Sequence, residues 1–365
     1  MKKKLIIFMP FIHYGGVEKN LFLIANYLSK SVNNIFLITS NTNLKKKINK
    51  KIKIINPKIF NNNKNKFLSY FLCLLILIKI LIKEKNYLVF SFQANIYCAF
   101  ICILFNVNII IRSNTSPIGW DHSLLKKKIY QIIIGKVDKI ILNSREFKKQ
   151  FTKLLNLKSV CIYNPLDVKK IKYKSREKLI FPFFKTNKKT IKILTSGRLT
   201  EQKDHLTILK ACNELIGKIK FKLLIIGSGE KKLELQNFIR TNKLSDVIKI
   251  IDFKNNVYKY IKISDLIILS SKYEGLPNIL LESIYLNKPI ISTNCPTGPK
   301  EILLNGKGGE LFKIHDHNQL ADKIYKFYEN PRKFNQKKKI AFKHLNRFDY
   351  KKNLEKYKKI IFSYL

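Results

Sequence analysis

The chain has 365 residues, 46% of them hydrophobic, which is too long for one ordinary core and apolar enough for two. Its 71 Lys and Arg against 24 Asp and Glu give a formal charge of +47. Three readings of that balance compete, nucleic acid, an anionic membrane surface or an acidic substrate, and AT-rich coding, which favours Lys, Asn and Ile, accounts for part of it. The six cysteines form no C-x-x-C pair and mostly sit in apolar runs, so they read as reduced core residues of a cytoplasmic protein.

Met1-Lys2-Lys3-Lys4 opens like a signal peptide, but the apolar run that follows is too short for one. Residues 4–9 read as a strand ending at Pro10 and the loop F-I-H-Y-G-G. Val17, Leu21, Ile24, Ala25 and Leu28 then recur at three and four, the period of a helix. Residues 35–39 and 52–55 are strands. The longest apolar run, residues 67–82, carries Lys79 and falls short of the ~20 residues of a spanning helix. It predicts a buried or interfacial helix closed by Lys83, Glu84 and Lys85. Strands over 87–92, 107–111, 139–142 and 160–163 alternate with helices over 95–105, 124–134 and 145–155. The Ile-rich strands lack two-residue alternation, as expected for a parallel sheet covered on both faces.

Asn164-Pro165 ends this half. The expected domains are 1–168, a basic linker over 169–189, a second domain over 190–334, and a helical tail over 335–365. In the second domain the alternation restarts. Strands are expected over 191–194, 222–226, 248–251, 266–269 and 289–292, and helices over 206–215, 231–240 and 316–328.

The stretch Y-E-G-L-P-N-I-L-L-E follows the strand at 266–269. Pro277 fits the first residue of a helix, so Glu274 precedes the helix and Glu282 lies on its second turn. Two carboxylates that accept from hydroxyls then flank a helix start that suits a phosphate. A nucleotide sugar presents hydroxyls, phosphates and hydroxyls in that order; the plain alternative is a helix with two solvated glutamates. Gly197, Arg198 and Lys203 follow the strand at 191–194. They are either a diphosphate clamp, with Arg as fork and Lys as point charge, or two basic residues among many. Gly227-Ser228-Gly229 is a turn at the same sheet edge, either bordering a base or without ligand. Gly15 and Gly16 let backbone approach a phosphate or sugar, or form an ordinary tight turn; the G-x-G-x-x-G fingerprint is absent. Arg112, Ser113 and Asn114 end a strand, with His122 a few residues on and His13 in the first loop. These are acceptor-side candidates or structural residues. The chain has no Ser-His-Asp set, no H-E-x-x-H and no D-x-D.

With Gly15-Gly16-Val17-Glu18, Gly197-Arg198-Leu199, Lys203-Asp204-His205, Gly227-Ser228-Gly229, Glu274–Glu282 and the Cys295-Pro296-Thr297-Gly298 segment in this order, the chain resembles the retaining GT-B glycosyltransferases of family four, the group 1 enzymes. The resemblance implies an α/β GT-B fold, two Rossmann-like doubly wound domains facing a cleft. The first domain takes the acceptor, the second the nucleotide sugar, and the C-terminal tail packs back on the first. It implies retaining transfer without a metal or other cofactor; the nucleotide sugar is a co-substrate. Arg198 and Lys203 would hold the diphosphate, and Glu274 would meet the donor sugar. Gly15, Gly16, Gly197, Gly229, Gly275, Leu276, Asn278 and Glu282 would line the donor site, Glu282 at the ribose. Arg112, Asn114 and His122 would face the acceptor. Many relatives carry a His or Asp where this chain has Arg112-Ser113-Asn114, so no catalytic base is named.

The expected donor is a UDP-hexose or UDP-N-acetylhexosamine, and the acceptor a lipid-linked or polysaccharide precursor of bacterial surface glycan. Lys45-Lys46-Lys47, Lys126-Lys127-Lys128 and the apolar run at 67–82 predict peripheral attachment to the anionic inner face of the plasma membrane. The alternatives are a GT-B-fold sugar-nucleotide epimerase and a basic nucleic-acid-binding protein. No nucleic-acid partner is expected, because the chain lacks an aromatic-studded sheet or recognition-helix motif.

Overall fold

The computed structural model describes residues 3–12, 15–41, 44, 47–57, 65–114, 124–185 and 189–365. The chain divides into two compact units. One comprises Met1–Pro165 and Lys351–Leu365, the other Leu166–Tyr350.

In the first unit β1 (Lys4–Phe8), α1 (Gly16–Leu28), β2 (Ile35–Ile38) and β3 (Ile52–Ile55) are followed by α2 (Lys66–Lys83), β4 (Tyr87–Ser91) and α3 (Asn95–Leu104). Then come β5 (Asn108–Ser113), α4 (Leu124–Gly135), β6 (Lys139–Leu142), α5 (Arg145–Leu155) and β7 (Val160–Cys161). The strands form one parallel sheet in the order β3-β2-β1-β4-β5-β6-β7, with Leu5 opposite both Ile35 and Leu88. Leu5, Ile6, Ile7 and Phe8 are all buried, so side chains on both faces of β1 are covered, which is why its sequence does not alternate. α2 starts where the Asn65 side chain accepts from the Phe67 and Leu68 amides (3.0 and 3.3 Å). It buries Cys73, Leu77 and Leu81, one stripe at four-residue spacing, against Ile6, Phe8 and Ile38. Cys98 and Cys102 lie buried on α3, as their spacing predicts. Among the described residues no helix is long and apolar enough to cross a membrane.

The second unit begins with α6 (Val168–Ser175), β8 (Ile191–Ser196), α7 (His205–Glu214), β9 (Phe221–Ile226), α8 (Lys232–Thr241), β10 (Ile248–Ile251) and α9 (Tyr258–Ile263). It continues with β11 (Leu266–Leu269), α10 (Asn278–Tyr285), β12 (Ile290–Thr293), α11 (Pro299–Ile302), β13 (Glu310–Phe312), α12 (His317–Glu329) and α13 (Lys333–Lys343). Its sheet is also parallel, in the order β10-β9-β8-β11-β12-β13. Ile193, Leu223 and Ile225 pack there with Ile208, Cys212, Leu235 and Ile324.

The structure departs from the sequence reading in three places. Residues 169–189, expected as a linker, contain most of α6, capped by Asp167 through the Lys170 amide (3.0 Å), and a 3-10 turn at Pro182–Phe184. Only Ile171 and Ser175 of α6 are buried, too few to give a periodic pattern. The tail at 335–365 is not one segment: α13 belongs to the second unit, whereas α14 (Tyr350–Phe362) belongs to the first from Lys351 on. Pro277 is the cap of α10 rather than its first residue.

Candidate active site

β8 and β11 are hydrogen-bonded neighbours, although β9 and β10 lie between them in sequence. The connections leave these two strands in opposite directions, and that reversal opens a crevice at their C-terminal ends, the place where open α/β sheets take ligands. Gly197 and Arg198 leave β8 there, and Ser270, Ser271 and Glu274 leave β11.

Hydrogen bonds join the two loops. Ser270 Oγ donates to the Lys203 carbonyl (2.8 Å), the Lys272 amide to the Gln202 carbonyl (2.9 Å), and Gln202 Nε2 to the Tyr273 carbonyl (2.9 Å). They bring Lys203 Nζ into an ion pair with Glu274 Oε1, across 71 positions of sequence. The Lys203 side chain is 16% exposed and that of Glu274 9%. Charges so far removed from water need a partner and further hydrogen bonds, and Ser271 Oγ supplies one to Glu274 Oε1 (2.6 Å). Arg198 is exposed at the same edge. Its Nη2 donates to Gln202 Oε1 (3.1 Å), and it has no carboxylate partner among the described residues.

The end of β12 and the loop after it hold the Glu274 loop by hydrogen bonds. Thr297 Oγ1 donates to the Glu274 carbonyl, and Thr293 Oγ1 to the Ser271 carbonyl (2.7 Å). Gly298 has φ of +79°, and a Cβ there would lie 2.6 Å from the Gly275 carbonyl oxygen. Only glycine meets both conditions. Leu276 is buried, Asn278 half-buried at the first position of α10, and Glu282 buried on its second turn.

The glycines of the β9 turn face the Arg198 loop. A Cβ on Gly227 would lie 1.9 Å from the Gly197 carbonyl oxygen, and one on Gly229 2.3 Å from that of Leu199. The Leu199 amide donates to the Ser228 carbonyl (3.0 Å) and the Lys231 amide to the Leu199 carbonyl (2.9 Å). Gly229 therefore holds the cation loop in place by close backbone packing. His205, at the start of α7, is buried with Nδ1 unpartnered; burial, with Lys203 nearby, lowers its pKa to about 3 and keeps the ring neutral. Burial first, and then the charge of Glu274, pushes the Cys295 thiol up to about 12, so it is a core residue and no nucleophile.

In the first unit Gly15 caps α1 and Gly16 is its first residue. The φ of −169° at Gly15 is ordinary extended backbone; a Cβ would approach only the movable Glu18 side chain. Arg112 overturns its acceptor-side reading, because it is completely buried. Its Nε donates to Tyr357 Oη (2.8 Å) and its Nη2 to Asn164 Oδ1 (2.7 Å), and the guanidinium packs on the Phe92 and Tyr357 rings. It ties β5 to α14, and its Nη1 is buried without a hydrogen-bond partner among the described residues. Asn114 is half-buried and donates from Nδ2 to the Phe92 carbonyl (3.3 Å), bridging the ends of β4 and β5. His13 and His122 lie outside the described residues.

The sequence reading assigned no role to Ser271 or Gln202, and it named Thr297 only as part of the Cys295–Gly298 segment. Ser270-Ser271 between β11 and Glu274 was a visible signal, two hydroxyls beside a buried carboxylate. The contacts of Gln202 and Thr297 come from loops far apart in sequence, and no local pattern announces them.

Residues 175–344 match the family described as "Glycosyl transferases group 1". An uncharacterized glycosyltransferase of Methanocaldococcus jannaschii is 32% identical over 206 residues, 54% of this chain and 51% of that protein. The N-acetylgalactosamine-N,N'-diacetylbacillosaminyl-diphospho-undecaprenol 4-alpha-N-acetylgalactosaminyltransferase of Campylobacter jejuni is 27% identical over 224 residues, 58% of this chain and 59% of that one. The chain thus spans about half the length of the curated relatives it matches. The HepE protein of Anabaena, solved in complex with UDP-glucose, superposes with a TM-score of 0.79 at 16% identity, over 99% of this chain and 100% of that one. The chain has the GT-B fold of two parallel-sheet α/β units, and from residue 175 to residue 344 it is similar to the group 1 glycosyl transferases.

Proposed function

We propose that the protein is a retaining group 1 glycosyltransferase that moves a hexose or N-acetylhexosamine from a UDP carrier to a lipid-linked or polysaccharide acceptor in bacterial surface glycan synthesis. The observation that carries this reading is the convergence of Arg198, Lys203 and Glu274 at the strand-order reversal of the second sheet. Two further facts support its details: the Campylobacter relative is named for a diphospho-undecaprenol substrate, and the Anabaena structure holds UDP-glucose.

In this reading the diphosphate enters beside Arg198 and Lys203, the guanidinium taking two oxygens and the ammonium acting as a point charge. Glu274 accepts hydrogen bonds from sugar hydroxyls, with Ser271 and Lys203 fixing its orientation. Glu282 takes the ribose hydroxyls. The bond from the anomeric carbon to the diphosphate oxygen breaks, and the acceptor oxygen bonds that carbon on the same face. The acceptor proton passes to the leaving diphosphate oxygen, so no protein base is required. The chain's own contribution is position and positive charge where the diphosphate departs. No metal or other cofactor is needed for that step in this account. The enzyme works at the inner face of the plasma membrane, where a lipid-linked acceptor is presented.

Incubation with radiolabelled UDP-sugars and a membrane lipid extract tests the reading. Label in the organic phase is expected. Interconversion of free nucleotide sugars without transfer would make the protein an epimerase. Salt-sensitive nucleic-acid binding without turnover would overturn the enzyme reading altogether.

A further inference from the structure

Helices α2, α3 and α4 pack in that order on one face of the first sheet, and their inner sides join one apolar cluster. Their outer sides are apolar as well. Phe67 (83% exposed) and Phe71 stand out from α2, Phe100 and Leu104 (66%) from α3, and Leu125 (68%) and Ile132 from α4. A helix on a solvated surface keeps its outward side polar. Three neighbouring helices that do not do so mark an interaction surface.

Charge identifies the occupant. α2 carries Lys66, Lys79 and Lys83, and α4 carries Lys126, Lys127 and Lys128. None of the three helices contains an Asp or Glu. A second copy of the chain would set these lysines against lysines, in a protein that already carries a charge of +47. An anionic bilayer interface accepts both components: acyl chains take the aromatic and aliphatic side chains, and phosphate headgroups take the ammonium groups.

We propose that the outer face of α2, α3 and α4 is a bilayer-docking surface, inserting Phe67, Phe71, Phe100 and Leu104 among anionic headgroups while the lysines of α2 and α4 hold it there. The inference deepens the membrane placement given above and rests on it for the choice of lipid. Docking requires no donor or acceptor, so it is measured apart from sugar transfer.

The test uses the full chain with phosphatidylglycerol–phosphatidylcholine vesicles and with phosphatidylcholine alone, without nucleotide. Flotation with the anionic vesicles only is expected. Each lysine near an anionic leaflet is worth roughly fivefold in partitioning, so the variant Lys126→Gln/Lys127→Gln/Lys128→Gln is expected to bind at least about tenfold more weakly. Loss of two inserted rings in Phe71→Ser/Phe100→Ser is expected to cost about tenfold or more. Phe71, Phe100, Lys126 and Lys128 are exposed and Lys127 is half-buried, so melting should change little in either variant. In a Phe100→Trp variant, added fluorescence is expected to be quenched by brominated acyl chains. Binding that high salt abolishes, with no quenching at position 100, would overturn insertion. Equal binding by wild type and both variants would overturn the surface assignment. Dimerisation by light scattering that Phe71→Ser/Phe100→Ser abolishes would give the face to a second copy and overturn the proposal. Vesicle binding by a protein that transfers no sugar would leave docking standing and remove only the transferase reading.

Discussion

Replacing Lys203 with Met in a cycle with Glu274→Gln probes the centre of the second unit. The pair is nearly out of water, with Lys203 16% exposed and Glu274 9%. Breaking a fully buried pair costs about 3–5 kcal/mol, because the surviving charge stays behind without its partner. The residual exposure on both sides reduces this to about 2–3 kcal/mol, and Ser271 Oγ remains as one donor to the stranded carboxylate. For a unit of this size each kcal/mol moves the melting point by about 2–4 °C, so Lys203→Met should melt about 4–12 °C lower without ligand. Glu274→Gln strands the ammonium instead and should be destabilised for the mirrored reason. The double variant should recover part of the loss, with a coupling of about 1–3 kcal/mol. Calorimetry gives the melting points, and hydrogen exchange in peptides from β8 and β11 assigns the transition to this unit. A lysine at an open edge, by contrast, would be replaceable without loss. Strictly additive effects, or a Lys203→Met protein that melts like wild type, would refute the pairing.

Arg198→Ala should leave melting unchanged, because the side chain is exposed, and should slow sugar transfer about a hundredfold by removing positive charge at the departing diphosphate; near-normal turnover removes Arg198 from the clamp. Gly227→Ala drives a Cβ into the Gly197 carbonyl, so it should displace the Arg198 loop, lower the melting point and weaken nucleotide binding together; an unperturbed variant contradicts the packing. His205 is held neutral by burial, with its pKa at about 3 against about 6.5 in the unfolded chain. The unfolded chain therefore takes up a proton that the folded one refuses. Its contribution is complete above about pH 6.5 and is lost on acidification towards pH 3, by roughly 1 kcal/mol per pH unit. Denaturant titrations at pH 6 and pH 5 should show that slope in wild type and a shallower one in His205→Gln; equal slopes would place the titration elsewhere.

Much of this was legible in the sequence, for physical reasons. Runs such as Leu5-Ile6-Ile7-Phe8 and Leu266-Ile267-Ile268-Leu269 are apolar without alternation because both faces of each sheet are covered, and that marks parallel strands. Glu274 and the Arg198–Lys203 pair were visible because each follows a strand at the edge where such sheets bind ligands. Arg112 was misread: a basic residue at a strand end looks the same whether it meets solvent or the Tyr357 hydroxyl, 245 positions away. The elements α6, α9, α11 and β13 are short or carry few apolar positions, so periodicity does not find them. The glycines at 227 and 229 looked like a turn with or without a ligand, and Gly298 had no role of its own, but the Cβ positions of all three meet carbonyl oxygens of neighbouring loops. Loop-to-loop packing has no one-dimensional signature.

Titration of UDP against wild type, Arg198→Ala and Glu282→Gln, followed by thermal shift and calorimetry, tests the central claim most directly. At a hundred times its dissociation constant a ligand adds about 2.7 kcal/mol to stability, which is a clear shift for this unit. The account predicts that UDP stabilises wild type, in preference to GDP and ADP, and that both substitutions weaken its binding. Absence of stabilisation by any nucleoside diphosphate, or UDP binding that both variants retain in full, would contradict the assignment of the nucleotide sugar to the crevice between β8 and β11.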